Sequence, residues 1–152
     1  MRKWMLFLGC VVLLAGQQTS TAQVTLLGSN RMAELPPVLL SGMEAYKAKG
    51  PEEAVSLWVK NGPLDGDKEA LSQVAVLRKI QSLYGAYQSF DVISSQDLTQ
   101  RVRIVYLVMN YERGPLFAKF VCYRSDREWT VTDFLLNIKD TAVLPAAVAL
   151  SN

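Results

Sequence analysis

The stretch ERGPLFAKFVCYRSDREWTVTDFLLN, Glu112 to Asn137, decides how the chain folds. Glu112-Arg113-Gly114-Pro115 reads as a turn and Leu116 to Arg124 as a strand. Ser125 to Glu128 reads as a second turn and Trp129 to Asn137 as a last strand. Leu116, Ala118, Phe120 and Cys122 alternate along the first strand, so one side of it is apolar. Lys119 and Asp133 stand where a plain core strand would carry apolar residues. If Tyr123 faces Trp129 across the turn, antiparallel pairing sets Val121 against Val131, Lys119 against Asp133 and Phe117 against Leu135. The other face then pairs Cys122 with Thr130, Phe120 with Thr132, Ala118 with Phe134 and Leu116 with Leu136. A slip of one residue would set Phe120 against Asp133 and exchange the faces of the moved strand. The opposite-charge match favours the first register.

Upstream, the periodicity changes from strand to helix. Thr99 to Tyr111 is rich in Val, Ile and Tyr and reads as a long strand. Ser95-Gln96-Asp97 has turn chemistry, and Tyr87 to Ser94 is a first strand of weaker pattern. Before Gly85, Leu71, Val74, Leu77, Ile80 and Tyr84 follow helical spacing behind a capping Asp67. A shorter helix starts at Pro51 with Glu52-Glu53 in its first turn, and Asn61-Gly62-Pro63 closes it. Val38 to Lys49 forms the first helix, stopped by Gly50. Helices first and antiparallel strands after predict an α+β domain with the helices packed on one sheet face.

Two segments carry a resemblance. LWVKNGPLDGDKEAL, Leu57 to Leu71, and YERGPLFAKFVCYRSDREWTVTDFLLN, Tyr111 to Asn137, resemble small secreted bacterial domains of the NTF2-like, or cystatin-like cone, superfamily. The likeness covers most of Val38 to Asn137. It implies N-terminal helices packed on a curved antiparallel sheet. It implies no single function, because that superfamily includes isomerases, dehydratases, ligand binders and interaction modules.

The ends bound the compartment. Arg2 and Lys3 precede an apolar run from Met5 to Gly16, and Ser20-Thr21-Ala22 supplies small residues for cleavage after Ala22. That order predicts a signal peptide over 1–22 and a periplasmic or secreted mature protein. The run is shorter than the ~20 residues of a spanning helix, so no stable membrane anchor is expected. Residues 23–37 read as a flexible lead, 38–139 as the NTF2-like domain and 140–152 as an apolar tail. Removing Arg2 and Lys3 lowers the 16 basic residues to 14, against 14 acidic ones. A near-neutral mature chain argues against nucleic acid as partner, since that binding needs clustered cations.

The chemistry is narrowed by what is missing. The chain has no histidine, which removes Ser-His-Asp triads, Cys-His pairs and histidine metal sites. No cofactor or metal is expected. Asp65, Asp67 and Glu69 read as a helix-entry cap rather than a calcium loop. Cys122 reads as a small buried hydrophobe. Arg101 and Arg103 open the second strand and read as solvated edge residues. The first reading is a non-catalytic domain that binds a small amphipathic molecule or a protein partner, with Trp58, Tyr106, Lys119, Tyr123, Trp129 and Asp133 as candidate pocket residues. Trp58, Tyr84 and Phe90 also suit a core. Lys119 and Asp133 form either a solvated ion pair worth at most ~1 kcal/mol or a polar anchor in the cone. The other reading is an isomerase or lyase with Asp133 as acid–base group, which would need burial to raise its pKa. The long strand is apolar on both sides at its far half. Its outer face predicts a homodimer, with the tail as part of the cover.

Overall fold

The computed structural model describes residues 35–126 and 128–149. The expected signal peptide, 1–22, and residues 23–34 of the lead fall outside the described residues. Three helices come first: α1 (Pro37–Lys49), α2 (Pro51–Val59) and α3 (Lys68–Tyr84). Four strands follow: β1 (Tyr87–Asp97), β2 (Val102–Tyr111), β3 (Gly114–Arg124) and β4 (Trp129–Asn137). A 3₁₀ turn (Asp140–Ala142) and a short α4 (Ala146–Ala149) end the described chain. None of the described helices is long and apolar enough to cross a membrane.

The helix signals in the sequence act as expected. Pro37 sits at the start of α1, and Pro51 at the start of α2, where a missing N–H costs nothing. Asp67 caps α3 by accepting the Ala70 N–H at 2.8 Å. The strands form one antiparallel sheet in the order β1-β2-β3-β4. Its inner face carries Val105, Leu107, Met109, Leu116, Ala118, Phe120 and Cys122, all fully buried. The helices cover that face with Leu39, Met43, Val55, Trp58 and Leu77.

The first hairpin differs from its expectation. Ser95, Gln96 and Asp97 stay in β1, paired with Val105, Ile104 and Arg103. The turn falls at Leu98–Arg101 instead, where the Thr99 hydroxyl accepts the N–H groups of Arg101 and Val102. An Asp97–Arg103 ion pair across the strands extends the ladder beyond Ser94.

The β3–β4 register also differs, and a bulge explains it. The turn closes one residue tighter than expected, with Ser125 N–H donating to the Glu128 carbonyl at 2.9 Å. Arg124 therefore faces Trp129, and Cys122 faces Val131. Continued unbroken, that register would set Asp133 against the buried Phe120. A bulge at Thr132 adds one residue, so Val121 faces Asp133, Phe120 faces Phe134 and Lys119 faces Leu135. The Thr132 hydroxyl donates to the Val121 carbonyl at 3.2 Å and satisfies the irregular ladder. The bulge turns the carboxylate out and a phenyl ring in, and so avoids the cost of burying an unpaired charge. Lys119 and Asp133 are diagonal neighbours on the outer face, and the expected ion pair between them does not form.

The tail folds back onto that outer face. Val143 and Val148 are buried there against Tyr106, with Ile93, Ile104, Phe117 and Leu144 around them. A bulge in β1 between Val92 and Ser94 lets Ile93 join this cluster. Burying each valine stabilises the arrangement by ~1.5–3 kcal/mol.

Candidate functional site

The expected cone interior is solid. Trp58, on α2, is 0% exposed. Its ring meets Phe120 at 5.0 Å and Phe134 at 6.1 Å between centroids, and the two phenyl rings stack at 5.8 Å. Gly42 of α1 makes this packing possible, because a Cβ there would lie 2.0 Å from Trp58 Nε1. That indole N–H is buried with no hydrogen-bond partner. Behind this layer, Tyr46, Tyr87 and Tyr111 close the other end of the sheet. The Tyr46 and Tyr111 hydroxyls lie 3.0 Å apart, and the Tyr87 hydroxyl donates to Met43 Sδ at 3.9 Å. Burial above all pushes the three phenols above their ordinary ionisation range. It also pushes the Cys122 thiol up to about 12, against a small opposing effect of Arg103. These are closed core groups.

Space opens at the opposite end. A cleft of about 340 Å³ is lined by Pro37, Val38 and Ser41 of α1, Leu57 at the end of α2, Lys60, Asn61, Glu128 and Trp129. Local chain geometry builds it. Pro36-Pro37 starts α1 abruptly. Asn61 takes a left-handed φ of 60°, a conformation asparagine tolerates. Gly62 then runs so close to β4 that a Cβ would lie 3.0 Å from the Val131 carbonyl oxygen. The turn after α2 thus hugs β4, and Trp129 forms the wall between them. The lining is apolar at Pro37, Val38, Leu57 and Trp129, and polar at the rim.

Trp129 is held by cations. The guanidinium of Arg103 lies 5.3 Å from its ring centroid and that of Arg124 lies 5.5 Å away. Arg103 is fixed in turn by Asp97, through Nε to Oδ1 at 2.6 Å and Nη2 to Oδ2 at 2.9 Å. The Asp97 carboxyl lies below its usual range, chiefly through that hydrogen bond. Arg103 was expected to be a solvated edge residue. Its side chain is only 19% exposed, because odd-numbered β2 residues point inward and Trp129 covers it. Arg101, by contrast, is an exposed turn residue paired with Asp126 at 2.9 Å.

The six candidate pocket residues are not brought together. Trp58 is in the core. Tyr106 lies on the outer face beneath the tail. Lys119 and Tyr123 share that outer face. Asp133 lies there too, exposed, and borders a smaller cleft of about 210 Å³ with Asp67, Glu69 and Gln73. Trp129 alone reaches the larger cleft. Sequence reading missed Pro37, Val38, Ser41, Leu57, Lys60, Asn61 and Glu128. The Pro-Pro and Asn-Gly breaks were the available signals, since both mark chain ends that meet near Trp129.

Comparison with known proteins adds little. No family model and no curated protein matches the chain. It is similar to a crystal structure of a domain of unknown function with a cystatin-like fold from Nostoc punctiforme. Identity is 12%, the TM-score is 0.47, and the match covers 87% of this chain and 84% of that one. The α+β arrangement rests on the chain's own elements, with helices packed on one face of a four-stranded antiparallel sheet.

Proposed function

We propose that this is an exported, non-catalytic binding domain that holds a small amphipathic molecule in the cleft beside Trp129. The carrying observation is the cleft's composition. An apolar wall of Pro37, Val38, Leu57 and Trp129 faces a polar rim of Ser41, Lys60, Asn61 and Glu128. Ligand sites of this size combine such a wall with a few polar groups. Export is supported by the signal-peptide pattern, with a mature chain beginning near Gln23. The isomerase or lyase reading finds less support, because Asp133 is exposed and lies away from this cleft. Titrating the mature chain with octanol should shift its tryptophan emission, and Trp129→Ala should abolish the heat of binding. Equal binding by Trp129→Ala would reject the cleft.

We also propose that a second copy covers the outer sheet face beside the tail. Tyr123 and Leu135 are 38% and 44% exposed there. Lys119 and Asp133 share that face, and neither has an ion pair among the described residues. A two-fold axis would set each against its opposite in the partner. Sedimentation should give a dimer that Leu135→Lys dissociates. A monomer at high micromolar concentration would reject the pairing.

A further inference from the structure

Two clefts meet at the β3–β4 turn. One is the amphipathic cleft that ends at Glu128 and Trp129. The other, also about 340 Å³, is lined by Gln100, Arg101, Arg124, Ser125 and Asp126. Ser125 and Glu128 bracket the turn between them. Ser125 Oγ donates to the Glu128 carbonyl at 3.1 Å and accepts the Glu128 N–H at 3.2 Å. The β1–β2 turn is tied to it, since Arg124 N–H donates to the Arg101 carbonyl at 2.7 Å.

Arg124 joins the two spaces. It lines the polar cleft, and its guanidinium lies over the Trp129 ring that walls the other. A guanidinium held over an aromatic ring by cation–π attraction is restrained before a ligand arrives, which lowers the entropy cost of using its N–H donors. Of the other charged groups nearest it, two cations are already matched by carboxylates. Arg101 is matched by Asp126, and Arg103 by Asp97. Arg124 has no ion pair among the described residues, so among the residues that line the polar cleft it contributes the excess positive charge. Gln100 adds a neutral amide beside it.

We propose that the polar cleft is an anion subsite continuous with the Trp129 cleft. The ligand is then an amphipathic anion whose apolar body lies along Trp129 and whose carboxylate or phosphate head is held by Arg124. This rests on the reading of the Trp129 cleft as a binding site and adds the sign of the ligand's charge. Asp97 acts as a positioning residue, since it fixes Arg103 beside the same ring that Arg124 lies over.

Calorimetry on the mature chain decides it, with octanoate, octyl phosphate, octanol and octyltrimethylammonium as probes below their micelle thresholds. The two anions should bind at least about tenfold more tightly than octanol, and the cation more weakly than octanol. Arg124→Gln should bring the anions down to the level of octanol measured on the same variant. Arg124→Lys should keep part of the preference, because it keeps the charge and loses the planar fork of donors. Thermal midpoints read in parallel show that both variants fold. Octanoate against octyl phosphate separates a carboxylate head from a phosphate head. Inorganic phosphate binding as tightly as octyl phosphate would overturn the joined site. Equal binding of all four alkyl probes would overturn the anion subsite and leave the Trp129 cleft standing. No binding of any alkyl probe would reject both.

Discussion

Trp58 and Trp129 are the same residue type put to opposite uses. Trp58 is enclosed by Phe120, Phe134 and Gly42, and its indole N–H meets no partner. Trp129 is partly exposed, walls a cleft and carries two guanidinium groups near its ring. An aromatic ring marks a site only where its neighbours leave room and supply charge. Around Trp58 the neighbours are rings and methyl groups packed to contact, so the residue stabilises. Around Trp129 they are chain ends and arginines, so the residue is available.

That contrast can be broken by experiment. Trp58→Ala should cost ~3–5 kcal/mol in urea unfolding, while Trp129→Ala should cost under ~1.5 kcal/mol. Equal losses would make Trp129 a core residue and remove the distinction. Gly42→Ala should cost ~1–3 kcal/mol, because its new methyl meets the Trp58 indole and the surroundings are already filled. A neutral result would mean that α1 can move away, and the interior would be looser than its contacts imply. Tyr46→Phe should cost ~1 kcal/mol by removing the hydroxyl contact with Tyr111.

The interior should also respond to pH. The Cys122 thiol ionises at an ordinary value of 9.0 when unfolded and near 12 when folded. A raised folded value means that its contribution is complete below pH 9.0 and is lost as pH rises toward about 12. The three buried phenols act in the same direction from about pH 10 upward. The urea midpoint should therefore fall steadily above pH 9.0, and native Cys122 should resist a thiol reagent at neutral pH. A flat midpoint over that range would mean that these groups are wetter than their burial suggests. The smallest effect belongs to the rim. Asp97→Asn should change stability by under ~1 kcal/mol, yet it should shift Trp129 emission by weakening the hold on Arg103.

Much of the fold was legible from local signals. Proline starts, the Asp67 cap and the change from helical to alternating spacing mark elements through the chain's own short-range chemistry. The site was less legible. Its lining comes from the start of α1, the end of α2 and the start of β4, which lie far apart in sequence and share no pattern. Arg103 illustrates the difficulty, because only the inward face of β2 and the cover of Trp129 distinguish it from Arg101. The Lys119–Asp133 pairing looked sound because opposite charges attract across a ladder. It ignored the cost on the other face, where the same chain must bring Phe134 against Phe120.

By itself, then, the sequence determined the α+β order of elements, the apolar inner sides of β2 and β3, and an Asp-capped third helix. Those follow from backbone propensity and from alternation along single segments. The tertiary structure alone decided the bulge at Thr132, the solid interior around Trp58 and the joining of chain ends beside Trp129. Each depends on several distant segments competing for the same space. A one-residue bulge that keeps a carboxylate in water while burying a phenyl ring is favourable only once both sheet faces exist.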